Sequence, residues 1–232
     1  MALRGLAHKV GLRPIPFGGQ VLVLMVAYEL LTFLADKNLT VNALIPEDPD
    51  FDSVAQTIGW ILTGVILIAA TISWSLGWRR AFRRTVLLFL ALSTLAVFLD
   101  VTDLVSTMTA RTDNEGALNL LWDAVLTWTS NVLTFAIWYW FLDGGGPDRR
   151  ASTEPGPADF AFPQHTASLP GWENWSPGIL DYVFVAFNTS TAFSPTDTLV
   201  LSRSAKFLCM VQASISLVII AMLAARVVNT IQ

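Results

Sequence analysis

The sequence predicts an all-α fold, an integral membrane helical bundle of about six transmembrane helices with the fifth short or broken. Three observations predict it. At 53% hydrophobic and 14% charged residues, with a mean hydropathy of +0.55, the chain is too apolar and too poor in charge for a soluble domain of 232 residues. Six stretches are apolar over lengths that suit a bilayer, and the basic residues between them fall mostly on one side of the alternation.

The first span covers about 17 to 36. Glu29 interrupts its apolar run and no small-residue cleavage site follows the basic N-terminus, so it reads as a span that stays in the protein. The second covers about 54 to 77. The third begins after Arg79, Arg80, Arg83 and Arg84 and continues to about 108, and the fourth covers about 118 to 142, ending in Trp138, Tyr139, Trp140 and Phe141. Each bridges a hydrocarbon core of roughly 30 Å at a rise of about 1.5 Å per residue. These four make up a transmembrane region over 1–142 with a cytoplasmic N-terminus.

A Pro/Gly-rich cytoplasmic linker follows over 143–176, starting from Gly144, Gly145, Gly146 and Pro147, and its composition does not sustain a helix. Ser176, Pro177 and Gly178 then read as an N-cap, a first-turn proline and a permissive residue that open a helix, which Ser194 and Pro195 stop. Its length of about 17 residues corresponds to roughly 26 Å, short of a full crossing. The last span, about 204 to 229, completes a third region over 177–232: short broken helix, polar turn and last transmembrane helix.

Lys and Arg near the span ends set the orientation. With the N-terminus inside, Arg4, Lys9, Arg13, Arg79, Arg80, Arg83, Arg84, Arg149, Arg150 and Arg226 lie inside, against Lys37, Arg111, Arg203 and Lys206 outside. Ten against four places both termini in the cytoplasm and the acidic loop of Glu47, Asp48, Asp50 and Asp52 outside. Trp78 and Trp140 read as belt residues at the inner interface. The net charge of -4 gives no support to nucleic-acid binding, and Cys209, alone in an apolar run, forms neither an intrachain disulfide nor a cysteine metal site. His8 and His165 sit in loop-like segments as solvated side chains. No cofactor and no metal centre is expected.

Ionisable groups inside a bilayer cost a few kcal/mol each and so mark protein- or water-facing positions. Glu29, Asp100, Asp103 and Asp123 all fall in the outer half of their spans, and each heads a polar stripe at helical spacing. Asp123, Thr127, Ser130 and Thr134 recur at steps of four, three and four with Asn131 alongside. Ser93, Asp100, Asp103 and Thr107 share a face of the third span, and Glu29, Thr32 and Asp36 one of the first. The simplest packing points these stripes at one another around a polar cavity open to the outside, whose negative potential favours cations or protons. Packing alone is the competing account, because hydroxyls in membrane helices often bond across interfaces or back to their own helix. The last span carries Gln212 and Ser216 on one face, with Ala213, Ala221, Ala224 and Ala225 permitting close helix approach, which is packing chemistry first.

From Asp181 to Asn229 a short aromatic helix, a hydroxyl-rich turn, an acid, a basic residue and a long apolar helix follow in an order that resembles the pore unit of potassium-channel-like proteins. Thr189, Ser190, Thr191, Ala192, Phe193 and Ser194 stand where the filter would be, with Asp197 as the acid and Arg203 as the base. Ala192 and Ser194 replace the glycines whose permissive dihedrals align filter carbonyls, which points away from potassium selectivity. A pore loop of that kind enters and leaves on one face, whereas the charge count sends this segment from inside to outside. The chain also resembles an uncharacterised family of bacterial multi-pass membrane proteins, in Asp159-Phe160-Ala161-Phe162-Pro163-Gln164, Asp181-Tyr182, Thr191-Ala192-Phe193-Ser194-Pro195-Thr196-Asp197 and Ala225-Arg226-Val227-Val228-Asn229. That resemblance implies a bacterial inner-membrane protein.

Two functions follow as expectations. One is a cation or proton channel or transporter whose path includes Glu29, Asp100, Asp103, Asp123, Thr127, Asn131, Asn188, Thr189, Thr191, Ser194 and Asp197. A homo-oligomer suits it, since a single filter-like loop cannot close a symmetric pore. The other is a non-transporting scaffold or partner subunit in which the polar residues only register helices. An enzyme is not expected: no Ser/His pair, zinc-binding HExxH or phosphate loop is present, and Asp100-Val-Thr-Asp103 lacks the glycine-rich partner motif of an intramembrane aspartyl protease.

Overall fold

A computed structural model describes residues 18–36, 49–110, 117–150, 156–167, 170–173, 175–191 and 197–231. The fold is all-α, with six principal helices: α1 (Gly18–Asp36), α2 (Pro49–Ser75), α3 (Arg79–Ala110), α4 (Ala117–Leu142), α5 (Ile179–Thr191) and α6 (Arg203–Ile231). Single turns occur at Pro147–Arg150 and Pro163–Thr166, and one antiparallel pair of two-residue strands, β1 (Phe160–Ala161) and β2 (Leu199–Val200), joins the linker to the stretch before α6.

Local chemistry explains the breaks. α2 ends because Gly77 adopts a φ of 69°, a left-handed conformation that costs glycine little, and the Trp78 amide then reaches back to the Ser73 carbonyl at 2.8 Å to close the helix. α4 ends in a tight turn over Asp143–Gly145, with Gly144 at φ 60°. Serines and threonines on the helices mostly bond back within their own turn, as Thr71 does to Leu67 and Thr94 to Leu90, so their hydroxyls cost little wherever they face.

α4 is the central helix and packs against α1, α3, α5 and α6. Its second half is buried on nearly all sides, through Val132, Phe135, Ala136, Ile137, Tyr139 and Trp140. Trp140, expected at the membrane interface, is fully buried, covered by the Arg150 guanidinium 5.4 Å from its ring; Trp78, by contrast, is exposed. The outer helices turn apolar side chains outward, among them Val23, Ile61, Ile68, Leu95, Phe207 and Leu217. Among the described residues two helical stretches, Arg79–Ser106 and Arg203–Ala225, are long and apolar enough to cross a membrane, and only 28% and 22% of their apolar windows are buried, the reverse of a soluble core helix. Gly18–Phe33 and Ile61–Ser75 are shorter apolar helices.

Five contacts bring one set of helix ends together. The start of α1 lies against the end of α2, where a Cβ on Gly18 would meet the Trp74 ring at 2.4 Å. Arg83, near the start of α3, places its guanidinium 5.5 Å from the Phe141 ring at the end of α4. Gln20 of α1 accepts the Ile179 amide at the start of α5. Asp143 accepts the Tyr182 hydroxyl at 2.6 Å, and the amides of Asp159 and Phe160 at 2.7 and 3.2 Å. Finally, Phe160 pairs with Val200, and the Leu201 amide donates to Asp159, immediately before α6.

The fifth element therefore does not run from one end of the bundle to the other. It leaves the end where α4 stops, goes down for thirteen residues, and the chain is back at the same end by Leu199. This corrects the placement of Arg203 and Lys206 opposite Arg79, Arg80, Arg83 and Arg84: all six start their helices at one end. The charge count failed there because it assumes a crossing between successive loops, and a two-residue ladder between distant segments overrules that assumption. It follows that α6 runs antiparallel to α4 and leads away from the arginine end, rather than toward it as the count implied.

Candidate functional site

The polar stripe of α4 is the spine of the site. Asp123, Thr127, Ser130, Asn131 and Thr134 are all buried, between 0% and 4% exposed. Helical spacing keeps Asp123, Thr127, Asn131 and Thr134 on one side, one turn apart. Asp103 of α3 is buried too and lies within electrostatic range of Asp123, so these two carboxyls of α3 and α4 are near each other. Near the other end of α4 the Trp138 indole donates to Thr94 of α3 at 3.0 Å.

At the middle of the bundle the stripe meets α5 and α6. Asn131 donates to the Ser216 hydroxyl at 2.8 Å and to the Gln212 carbonyl at 3.4 Å. The Gln212 side chain, completely buried, donates to the Ala186 carbonyl at 2.8 Å and the Ser190 hydroxyl at 2.7 Å, and accepts the Tyr139 hydroxyl. Thr189 and Cys209 face the same Tyr139 hydroxyl. One glutamine thus joins α4, α5 and α6 at the level where α5 ends.

The other expected residues have these surroundings. Glu29 is half-buried and faces α2, where Thr63 hydrogen-bonds it. Asp100 is half-buried on α3. Thr189 and Thr191 are half-buried, with their hydroxyls donating to the carbonyls of Val185 and Asn188, and Asn188 is itself half-buried. Asp197 is exposed at the arginine end, next to β2. Ser194 lies outside the described residues.

Asp143, missed in the sequence, is the second centre. It is 3% exposed, and besides its three donors it is flanked by Arg150, which donates to the carbonyls of Trp140 (2.7 Å) and of Asp143 itself. The Gly144 amide donates to the Asp159 carboxylate at 3.0 Å, so the two acids exchange partners across the turn. Phe160, Phe162 and Tyr182 pack edge to face above them, with centroids 5.5 to 6.2 Å apart. Asp159, Phe160, Phe162 and Tyr182 are therefore neighbours in space. A signal was present: an acid at a helix C-terminus opposes the helix dipole and persists only with dedicated partners.

Chemically, the α4 stripe offers oxygens. The Asp123 Oδ1, Asn131 Oδ1 and Thr134 Oγ1 atoms are buried with no hydrogen-bond partner among the described residues, although buried polar atoms nearly always have one. Two neighbouring carboxyls followed by neutral oxygens at one-turn intervals suit a cation or a migrating proton. Among the described residues no group of three His, Cys, Asp or Glu side chains is placed to hold a metal ion. Comparison of the chain with protein families, curated proteins and solved structures finds no match.

Proposed function

We propose that this chain is a multi-pass protein of the bacterial inner membrane that conducts cations or protons as a homo-oligomer, with five crossing helices and α5 as a re-entrant element. The observation that carries the reading is the course of α5. Both sides of it are tied to the arginine end, by Tyr182 to Asp143 and by β2 to β1, while its C-terminal turn reaches the bundle's middle at Gln212. From there Asn131, Thr134, Thr127 and Asp123 with Asp103 continue a polar line toward the opposite end. A broken helix with polar backbone at membrane depth is tolerated where protein or a water-filled path surrounds it.

The revised course of the chain also sharpens the charge asymmetry. With α6 starting inside, Arg4, Lys9, Arg13, Arg79, Arg80, Arg83, Arg84, Arg149, Arg150, Arg203 and Lys206 lie inside, and only Lys37, Arg111 and Arg226 outside. Eleven against three is a stronger bias than ten against four, which supports both the membrane reading and the re-entrant course. Purified protein in liposomes tests the function. Asp103→Asn with Asp123→Asn is expected to lower cation or proton flux at least about tenfold, the scale of losing a stabilising charge from a low-dielectric path. Equal flux from wild type and variant removes these residues from the path. The scaffold reading draws on Gln212, whose side-chain nitrogen and oxygen both have partners, as a helix-registering residue requires. Under it neither protein conducts.

A further inference from the structure

We propose that the turn between α2 and α3 is a binding site for the phosphate of an anionic phospholipid, an inference that rests on the membrane reading above. An open groove of about 500 Å³ lies there, lined by Gly77, Trp78, Arg79, Arg80, Ala81 and Arg84. The four arginines of this run divide between two tasks. All four are exposed, but Arg83 lays its guanidinium against the Phe141 ring at 5.5 Å, whereas Arg79, Arg80 and Arg84 line the groove. Guanidinium forks match phosphate oxygens in two-point contacts, and Arg80 and Arg84 set two of them side by side along this open groove.

The surroundings select a lipid over a free anion. Arg80 and Arg84 stand one turn apart on α3, and the same helical stripe continues through Leu88 and Leu95, which are 49% and 55% exposed. A phosphate held by Arg80 and Arg84 therefore has an outward apolar track below it that acyl chains can follow. Trp78, 59% exposed on the rim, supplies the amphipathic ring that sits at headgroup level. A soluble phosphate uses neither feature.

The test is native mass spectrometry of the whole chain released from vesicles of mixed phosphatidylglycerol and phosphatidylcholine. Arg80→Gln with Arg84→Gln is expected to reduce retained phosphatidylglycerol about tenfold, while Arg203→Gln with Lys206→Gln, exposed cations at the same end, leaves it unchanged. Inorganic phosphate at millimolar concentration is not expected to displace the lipid. Equal loss from both double variants overturns the proposal, because attraction would then be diffuse, and displacement by phosphate overturns it in favour of a soluble anion. Should the double variant not fold, Arg84→Gln alone serves the same comparison. Alkaline extraction of the vesicles separates the two claims: a chain that stays while lipid retention is unaltered defeats the groove alone, and a chain that washes off defeats both.

Discussion

The hydroxyl of Tyr182 donates a 2.6 Å hydrogen bond to the carboxylate of Asp143, 39 residues earlier, and so pins the start of α5 to the end of α4. The other carboxylate oxygen of Asp143 is occupied by the amides of Asp159 and Phe160. One buried acid thus fixes a helix end, a strand and a second helix, and its removal reaches all three.

Tyr182→Phe is expected to lower stability by about 1–3 kcal/mol, since it leaves a buried charged acceptor short of a donor. Asp143→Ala is expected to cost more, because three donors lose their acceptor together. Unfolding in detergent, followed by tryptophan fluorescence, measures both. A Tyr182→Phe protein as stable as wild type shows that the bond contributes nothing.

Gln212→Leu keeps the volume of the side chain and removes its polar atoms, leaving Tyr139 and Ser190 without their shared partner. A loss of about 1–3 kcal/mol is expected. The amides of residues 186–191 should exchange faster with deuterium while those of α3 hold their protection. Uniform exchange across the bundle contradicts a role confined to the α5 end.

Gly156→Ala inserts a Cβ 2.6 Å from the Gly144 carbonyl oxygen, a backbone atom that cannot yield as a flexible side chain does. The turn carrying Asp143 must shift, so a destabilisation of about 1–3 kcal/mol is expected, the range for strain and overpacking. Gly171→Ala, whose surroundings are open but whose φ is +88°, probes backbone conformation without a clash. A larger loss at Gly171 than at Gly156 would place the cost in the dihedral rather than in contact.

Single cysteines at Ser176 and Ser204, in a Cys209→Ser chain, are expected to react with a membrane-impermeant reagent from the same side of inverted vesicles. Both flank the re-entrant segment at the arginine end. Labelling from opposite sides restores a crossing α5.

The helices were legible in the sequence because length and hydropathy are local: the third span, expected from after the arginine run to about 108, lies within Arg79–Ala110, which takes in the four arginines as well, and the fourth, expected over about 118 to 142, is Ala117–Leu142. The meeting of Asp103 with Asp123 was legible through helical spacing. The turn-back of α5 was not, since it depends on Phe160 finding Val200, a pairing of two residues that no periodicity announces. Gln212 was visible as a polar face but not as a junction, because its partners Tyr139, Ala186 and Ser190 sit on two other helices. Asp143 was hidden by its neighbours, the glycine run that made it look like loop.

The strand pair has a consequence for the order in which the molecule is made. Phe160 emerges from the ribosome well ahead of Val200, so the strap over α5 stays open until translation has passed that helix and reached the start of α6. Tyr182 can find Asp143 earlier, but the hydroxyl-bearing tip gains its seat only when Gln212 has been added. The interior is therefore closed last, by the newest part of the chain, after the four earlier helices are already present to receive it.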